Sequence, residues 1–301
     1  MRRKHFFLIS LAGLACIVAL ILRKGRHKTV RGEWPVNLAH RGASSLAPEN
    51  TIEAFRLAVE AGAGGLELDV HMTRDGHIVV IHDPTVDRTT NGSGAVSEMT
   101  LDELRGFDAG HDFSPGGGPS RPYRARGVRV PTLEEVLREF PGVVVNIDIK
   151  TDRPGIEAAV LGVLREADAL GRVLVVSTPH AIVERFRRIS GGRVSTGASK
   201  WEIGVFYILS TLRMEQLARP AYEALQVPLR HRGIPLVTPQ FIRAAHASGV
   251  RVDVWTINQP DEMRRLLDLG ADVIMTDRPG TLAEVLHAAR SSTMEATPKS
   301  V

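Results

Sequence analysis

Thr132-Leu133-Glu134-Glu135-Val136-Leu137-Arg138-Glu139-Phe140-Pro141-Gly142-Val143-Val144-Val145-Asn146-Ile147-Asp148-Ile149-Lys150 reads as a helix, a turn and a strand in succession. Thr132-Leu133-Glu134-Glu135 resembles a helix start with an acidic first turn. The helix pattern covers 132–140, and 143–149 is a short β-rich run. Successive side chains of a strand point to opposite faces, so Asn146, Asp148 and Lys150 share one face. The strand therefore ends in polar chemistry.

The same unit recurs on both sides. Candidate strands lie at 36–40, 65–70, 78–81, 143–149, 172–177, 193–197, 223–227, 250–256 and 272–276. Amphipathic helices lie between most of them, at 51–61, 132–140, 155–168, 180–189, 200–218, 238–247, 260–268 and 280–288. Thr281-Leu282-Ala283-Glu284 opens the last in the same way as Thr132. Repeated β-then-α units demand a parallel sheet, and about eight of them predict a TIM (β/α)8-like barrel; a doubly wound open sheet is the alternative.

One connection departs from the pattern. Only His71 to His77 separate strands 65–70 and 78–81, too few residues for a helical crossover, and Arg74-Asp75-Gly76 signals a turn. The reading is an antiparallel return in which positions summing to about 151 face each other. That puts His82 opposite Asp69 and close to Glu67. Residues 85–131, with Asn91-Gly92-Ser93-Gly94 and the Pro/Gly stretch Ser114 to Pro119, read as a small insertion or lid. Residues 32–290 form the barrel domain, and 291–301 are expected to be a disordered tail.

Phe6 to Leu22 is an uncharged, mostly apolar run between basic clusters. It is long enough for roughly 26 Å of helix, the short end of a membrane span. A cleaved signal peptide competes, but Ile21-Leu22 runs straight into Arg23-Lys24 with no small-residue exit. The expectation is a single-pass N-terminal transmembrane helix within an anchor of residues 1–31, hence a membrane localisation, with the side occupied by the body left open.

The basic balance of the chain, 38 Lys/Arg against 34 Asp/Glu, belongs to that arm. Residues 1–31 hold eight Lys/Arg and no acid, which leaves 30 Lys/Arg against 34 Asp/Glu in the remainder. A mildly acidic body excludes nucleic acid as the partner. Cys16 is the one cysteine, so no intrachain disulfide and no cysteine-rich metal site is possible.

Three strand ends gather unusual polar residues: His40-Arg41-Gly42, with Pro48-Glu49-Asn50-Thr51 after it; Glu67 and Asp69 on one face of their strand, with His82-Asp83-Pro84 after the turn; and Asn146, Asp148 and Lys150. In a barrel such residues collect at the C-terminal ends of the strands. Acidic oxygen donors without cysteine suit one hard divalent ion, Mg²⁺ or Ca²⁺. Two histidines beside it can act as acid and base near neutral pH, and Arg41 and Lys150 supply the positive charge a phosphate needs. The combination points to phosphodiester cleavage.

The sequence resembles the glycerophosphodiester phosphodiesterase family across about residues 36–290. His-Arg-Gly at 40–42, Pro-Glu-Asn-Thr at 48–51, Glu-Leu-Asp-Val at 67–70, Thr-Arg-Asp-Gly at 73–76, His-Asp-Pro at 82–84 and Asp-Arg-Thr-Thr-Asn-Gly at 87–92 carry the resemblance. So do Asn-Ile-Asp-Ile-Lys at 146–150, Val-Trp-Thr-Ile-Asn at 254–258 and Thr-Asp-Arg-Pro at 276–279. The resemblance implies a TIM-barrel hydrolase with His40 and His82 as the acid/base pair and the metal on Glu67, Asp69 and Asp148. Arg41 and Lys150 would hold phosphate, and Trp255 would line the glycerol pocket. Many members have Glu where this chain has Asp148. The anchor, Asp148 and Leu225-Gln226-Val227-Pro228 together look like the branch containing transmembrane lysophospholipase D enzymes. The implied substrates are glycerophosphodiesters and lysophospholipids, cleaved to the head-group alcohol plus glycerol 3-phosphate or lysophosphatidic acid.

The plain readings stand beside these. Asp148 can be a structural partner of Lys150, and Trp255 can be barrel packing. His71 sits at a turn, Glu49 and Asn50 shape the loop after the first strand, and Asp277 caps or orients the final loop. A phosphatidylinositol-specific phospholipase C-like enzyme shares the barrel and paired histidines, and a catalytically silent, membrane-tethered lipid-binding protein is the non-enzymatic alternative.

Overall fold

The computed structural model describes residues 34–295. All nine candidate strands form, the first seven being β1 (Asn37–His40), β2 (Gly65–Met72), β3 (Ile78–Val80), β4 (Val144–Ile149), β5 (Val173–Val176), β6 (Ser195–Thr196) and β7 (Ala224–Pro228). A two-stranded hairpin of β8 (Arg230–His231) and β9 (Ile234–Pro235), absent from the sequence reading, precedes β10 (Arg251–Trp255) and β11 (Val273–Thr276).

β6-β5-β4-β2-β1-β11-β10-β7 pair in that order, every neighbour parallel. A parallel bridge between Gly197 and Ala224, with Ala198 N–H donating to the Ala224 carbonyl at 2.8 Å, joins the two ends. The sheet is thus an eight-stranded parallel barrel, and the open-sheet alternative falls.

Helices form where capping and periodicity coincide. Thr132 accepts from Glu135 N–H, and the Glu135 carboxylate reaches back to Thr132 N–H, a reciprocal cap for the helix Leu133–Glu139. Thr51 caps Ile52–Glu60 and Ser199 caps Lys200–Thr211 in related ways. Each such cap stabilises its helix by about 1 kcal/mol. Phe55 and Leu137 on the first two of these helices, with Ile156 and Phe186 on the uncapped helices Ile156–Glu166 and His180–Ser190, are fully or nearly fully buried and pack in one core with the strands.

The β2–β3 return is antiparallel as expected, but its register differs by one residue. Val70 faces Val80 and Met72 faces Ile78, so opposed positions sum to 150, not 151. The turn sets this. Thr73 N–H donates to the His77 carbonyl at 2.9 Å, and the Thr73 hydroxyl bonds Asp75 and receives His77 N–H. A five-residue loop from Thr73 to His77 fixes the pairing one step earlier. Ile81, not His82, lies across from Asp69, and its N–H donates to the Asp69 carbonyl at 2.9 Å.

The insertion has a core of its own. Val79 and Ile81 meet Val86, Val96, Leu101, Leu104, Ala109, Val128 and Val130, with Met99, Phe107 and Tyr123 packed on them. A short helix, Leu101–Arg105, with a reciprocal Thr100/Glu103 cap, lies inside it. At the other end the last helix, Pro279–Glu295, runs past residue 291, where a disordered tail was expected.

The membrane localisation is corrected. Among the described residues no helix is long and apolar enough to cross a membrane; even Pro279–Glu295 has only 17 residues. The span expected over Phe6 to Leu22 lies outside the described residues, so the structure lends it no support.

Candidate active site

β1 delivers His40 to the barrel rim, and the chain then turns sharply. Arg41 has φ 56° and Gly42 φ 85°. A Cβ on Gly42 would stand 2.7 Å from the carbonyl carbon of Ala54, so this close approach and left-handed backbone admit only glycine. The bend lets Arg41 N–H donate to Glu67, both to its carbonyl and to Oε2, each at 3.0 Å. Its guanidinium bonds Glu49 through Nη1 at 2.9 Å and places Nε 3.1 Å from Asp69 Oδ2.

Strand register assembles the acids. His40 lies beside Glu67 across β1 and β2, and Asp69 lies beside Asp148 across β2 and β4. Lys150 Nζ stands between the last two, 2.8 Å from Asp69 Oδ1 and 2.7 Å from Asp148 Oδ2. Asn50 Nδ2 donates to Asp69 Oδ2 at 2.9 Å.

Their surroundings split the three carboxyls electrostatically. Burial pushes Glu67 up to about 7, with the Asp69 charge adding to it. Burial likewise raises Asp148, against the pull of Lys150. Burial opposes ionisation of Asp69 too, but Lys150 and Arg41 outweigh it and hold this carboxyl below its usual range.

Asp148 Oδ1 is buried without a hydrogen-bond partner. An orphaned carboxylate oxygen beside the desolvated Glu67 carboxyl is a donor set that fits a hard divalent cation. Among the described residues no three ligating side chains converge on one point, since Lys150 draws Asp69 and Asp148 to itself.

Both histidines are anchored through the same nitrogen. His40 Nδ1 lies 2.7 Å from Asp277 Oδ1, and His82 Nδ1 lies 2.6 Å from Asp83 Oδ1. An Nδ1–H given to a carboxylate fixes each ring's orientation and leaves Nε2 as the atom free for proton transfer. Asp277 is itself held by Asn258 Nδ2 at 2.6 Å and Ser44 Oγ at 2.9 Å. Burial pulls His40 down, but Asp277 and Glu67 more than reverse this and hold its pKa above the ordinary value. His82 lies beyond the paired part of β3, and its backbone is fixed from behind: buried His71 Nε2 donates to the His82 carbonyl at 3.0 Å.

Of the sequence-chosen residues, the structure thus gathers His40, Arg41, Glu67, Asp69, His82, Asp148 and Lys150 at the C-terminal end of β1, β2 and β4 and the chain beyond β3. Trp255 ends β10, two strands from β1 around the barrel, with its side chain 42 % exposed. Asp83, Arg88, Asn50 and Asp277 were not singled out as site residues. Asp83 could have been found from its place next to His82. Asp277 follows directly on β11, which neighbours β1 once the barrel closes.

Such a barrel, with two carboxylate-anchored histidines over an acid–lysine cluster, defines a class, the phosphoric diester hydrolases. The chain belongs to the Glycerophosphoryl diester phosphodiesterase family, which its residues 40–281 match. It is 37% identical over 258 residues to a glycerophosphodiester phosphodiesterase of Caldanaerobacter subterraneus subsp. tengcongensis, covering 83% of this chain and 97% of that one. The fold matches the glycerophosphoryl diester phosphodiesterase domain of a Mycobacterium tuberculosis protein, with a TM-score of 0.74, 24% identity, and 84% of this chain and 99% of that chain covered. An Oleispira antarctica phosphodiesterase in complex with the product sn-glycerol-3-phosphate matches with a TM-score of 0.64 and 25% identity over 83% of this chain and 96% of that one.

Proposed function

We propose that this chain hydrolyses glycerophosphodiesters to glycerol 3-phosphate and the free head-group alcohol, with His40 and His82 as the acid/base pair. The observation that carries the reading is the matched anchoring of the two imidazoles, Nδ1 on Asp277 and Nδ1 on Asp83, beside the Arg41 and Lys150 cations. The product bound to the Oleispira antarctica relative supports glycerol 3-phosphate as the retained half.

Arg41 and Lys150 bind the phosphoryl oxygens of the substrate, and Trp255 offers its exposed face to the glycerol carbons. Asp277 and Glu67 favour the imidazolium form of His40, so His40 gives its proton to the departing alcohol oxygen. His82 takes the proton of the attacking oxygen through Nε2. Water is added across one P–O bond in the net reaction.

Glu67, Asp69 and Asp148 are the residues that would hold one divalent cation, Mg²⁺ or Ca²⁺. Such an ion supplies charge neutralisation at the phosphoryl oxygens.

Val96 belongs to the insertion's core, and Met99, Phe107 and Tyr123 pack on it. These side chains are engaged within the insertion, which favours the deacylated diester over a lysophospholipid as substrate. The test is choline release from glycerophosphocholine by the purified chain, with Mg²⁺, with Ca²⁺ and with chelator. No release under any metal condition refutes the proposed activity.

A further inference from the structure

The insertion reaches back to both halves of the active site through one side chain. Arg88 Nε donates to Asp83 Oδ2 at 2.5 Å, while Nη1 and Nη2 donate to Glu49 Oε2 and Oε1 at 2.9 and 2.7 Å. Asp83 is the carboxylate that anchors His82 Nδ1. Glu49 is the carboxylate that holds Arg41 Nη1. The guanidinium therefore stands where two orienting carboxylates, from separate loops, need a common partner.

Ordinary stabilisation does not account for it. The Arg88 side chain is 48 % exposed, and surface ion pairs at such exposure contribute little to folding, typically ~0–1 kcal/mol. Its geometry is nonetheless specific: a bidentate fork on Glu49 and a third bond, from Nε, on Asp83. Only a planar guanidinium presents donors in that arrangement; a lysine ammonium cannot reproduce it. Each carboxylate uses its remaining bonding to aim a residue at the substrate.

We propose that Arg88 is a positioning residue that locks His82, through Asp83, and Arg41, through Glu49, into one rigid unit. The inference rests on the proposed roles of His82 and Arg41. It makes the insertion a structural part of the site, since Arg88 lies at its start. The two arms separate kinetically. Loosening His82 lowers kcat, because proton transfer is sensitive to placement, and a shift of ~1 Å can cost on the order of 10²-fold. Loosening Arg41 weakens hold on the phosphate and raises KM.

The test uses the purified full chain and glycerophosphocholine. Arg88→Met is expected to lower kcat by roughly 10- to 100-fold and to raise KM severalfold, with Tm close to wild type. Glu49→Gln should raise KM with little change in kcat, and Asp83→Asn should lower kcat with little change in KM. Arg88→Lys should recover only part of either loss. Selective ¹⁵N-histidine spectra give a readout independent of turnover: the His82 Nδ1–H resonance should move in Arg88→Met and Asp83→Asn, while that of His40 stays in place.

Kinetic constants of Arg88→Met within twofold of wild type overturn the proposal, as does full recovery by Arg88→Lys. So does an unmoved His82 resonance in Arg88→Met. If wild type itself releases no choline, the proposed function fails, and the histidine spectra alone still decide whether Arg88 positions His82.

Discussion

His40 Nδ1 lies 2.7 Å from Asp277 Oδ1, across the seam where the first strand of the barrel meets the last. Residues 237 positions apart in the chain meet there, so the pairing of β11 with β1 and the orientation of the imidazole are one event. His82 receives the same service from its immediate neighbour, Asp83, 2.6 Å away. One anchor is long-range and the other local, yet both leave Nε2 as the working atom.

If both imidazoles move protons, each is indispensable. His40→Ala and His82→Ala should each lower kcat by roughly 10²- to 10⁴-fold without loss of fold. Circular dichroism and steady-state kinetics on the two variants check this. Near-wild-type turnover in either folded variant removes that histidine from the acid/base pair.

Asp277 is expected to set the working pH of His40. Burial lowers the His40 pKa, and Asp277 and Glu67 raise it beyond that loss. An acid must hold its proton, so turnover falls as pH rises through the His40 pKa. Asp277→Asn removes the charge and lowers that pKa, so the alkaline limb of kcat should move to lower pH. A limb that stays in place sinks His40 as the acid.

The orphaned Asp148 Oδ1 and the raised Glu67 lead to a metal prediction. Chelator should abolish choline release, and Mg²⁺ or Ca²⁺ should restore it. Asp148→Asn should weaken metal affinity, measured by calorimetry, while Asp148→Glu should keep part of the activity with an altered metal preference. Full activity after exhaustive chelation excludes the ion from the mechanism.

Gly42→Ala tests the backbone bend. The new Cβ would meet Ala54 at 2.7 Å from a φ of 85°, with backbone on the other side of the clash. The variant should lose more than about 1 kcal/mol of stability and displace Arg41 with it. A melting temperature unchanged from wild type contradicts this account of the bend.

Substrate choice is checked by kcat/KM for glycerophosphocholine against lysophosphatidylcholine in mixed micelles. With Val96 in the insertion's core and Met99, Phe107 and Tyr123 packed on it, a preference of roughly tenfold or more for the deacylated diester is expected, worth about 1.4 kcal/mol. Equal or better use of the lysophospholipid reverses that reading.

Alternation and capping are local, and what depends on them was legible in the chain. Glu67 and Asp69 share a face because two residues separate them along a strand, and Asp148 and Lys150 do so for the same reason. Thr132 and Glu135 cap a helix because three residues bring one to the other. Nine strands and the repeating helices between them followed from such short-range rules, and with them the barrel.

What tertiary structure decided was pairing across loops and across the closed sheet. The hydrogen bonds of the Thr73–His77 turn moved the β2–β3 register by one residue, which hydrophobic alternation in β3 could not resolve because Ile78, Val79, Val80 and Ile81 are all apolar and all buried. Val79 and Ile81 are buried from outside by the insertion, so a segment read as a lid is also a second small core. Asp277 reaches His40 only when β11 closes on β1, and Arg88 reaches Glu49 only when the insertion folds back over the first loop. A charged side chain in a sequence names its chemistry; its partner is whichever side chain the fold brings within 3 Å, and that distance is a property of the whole barrel.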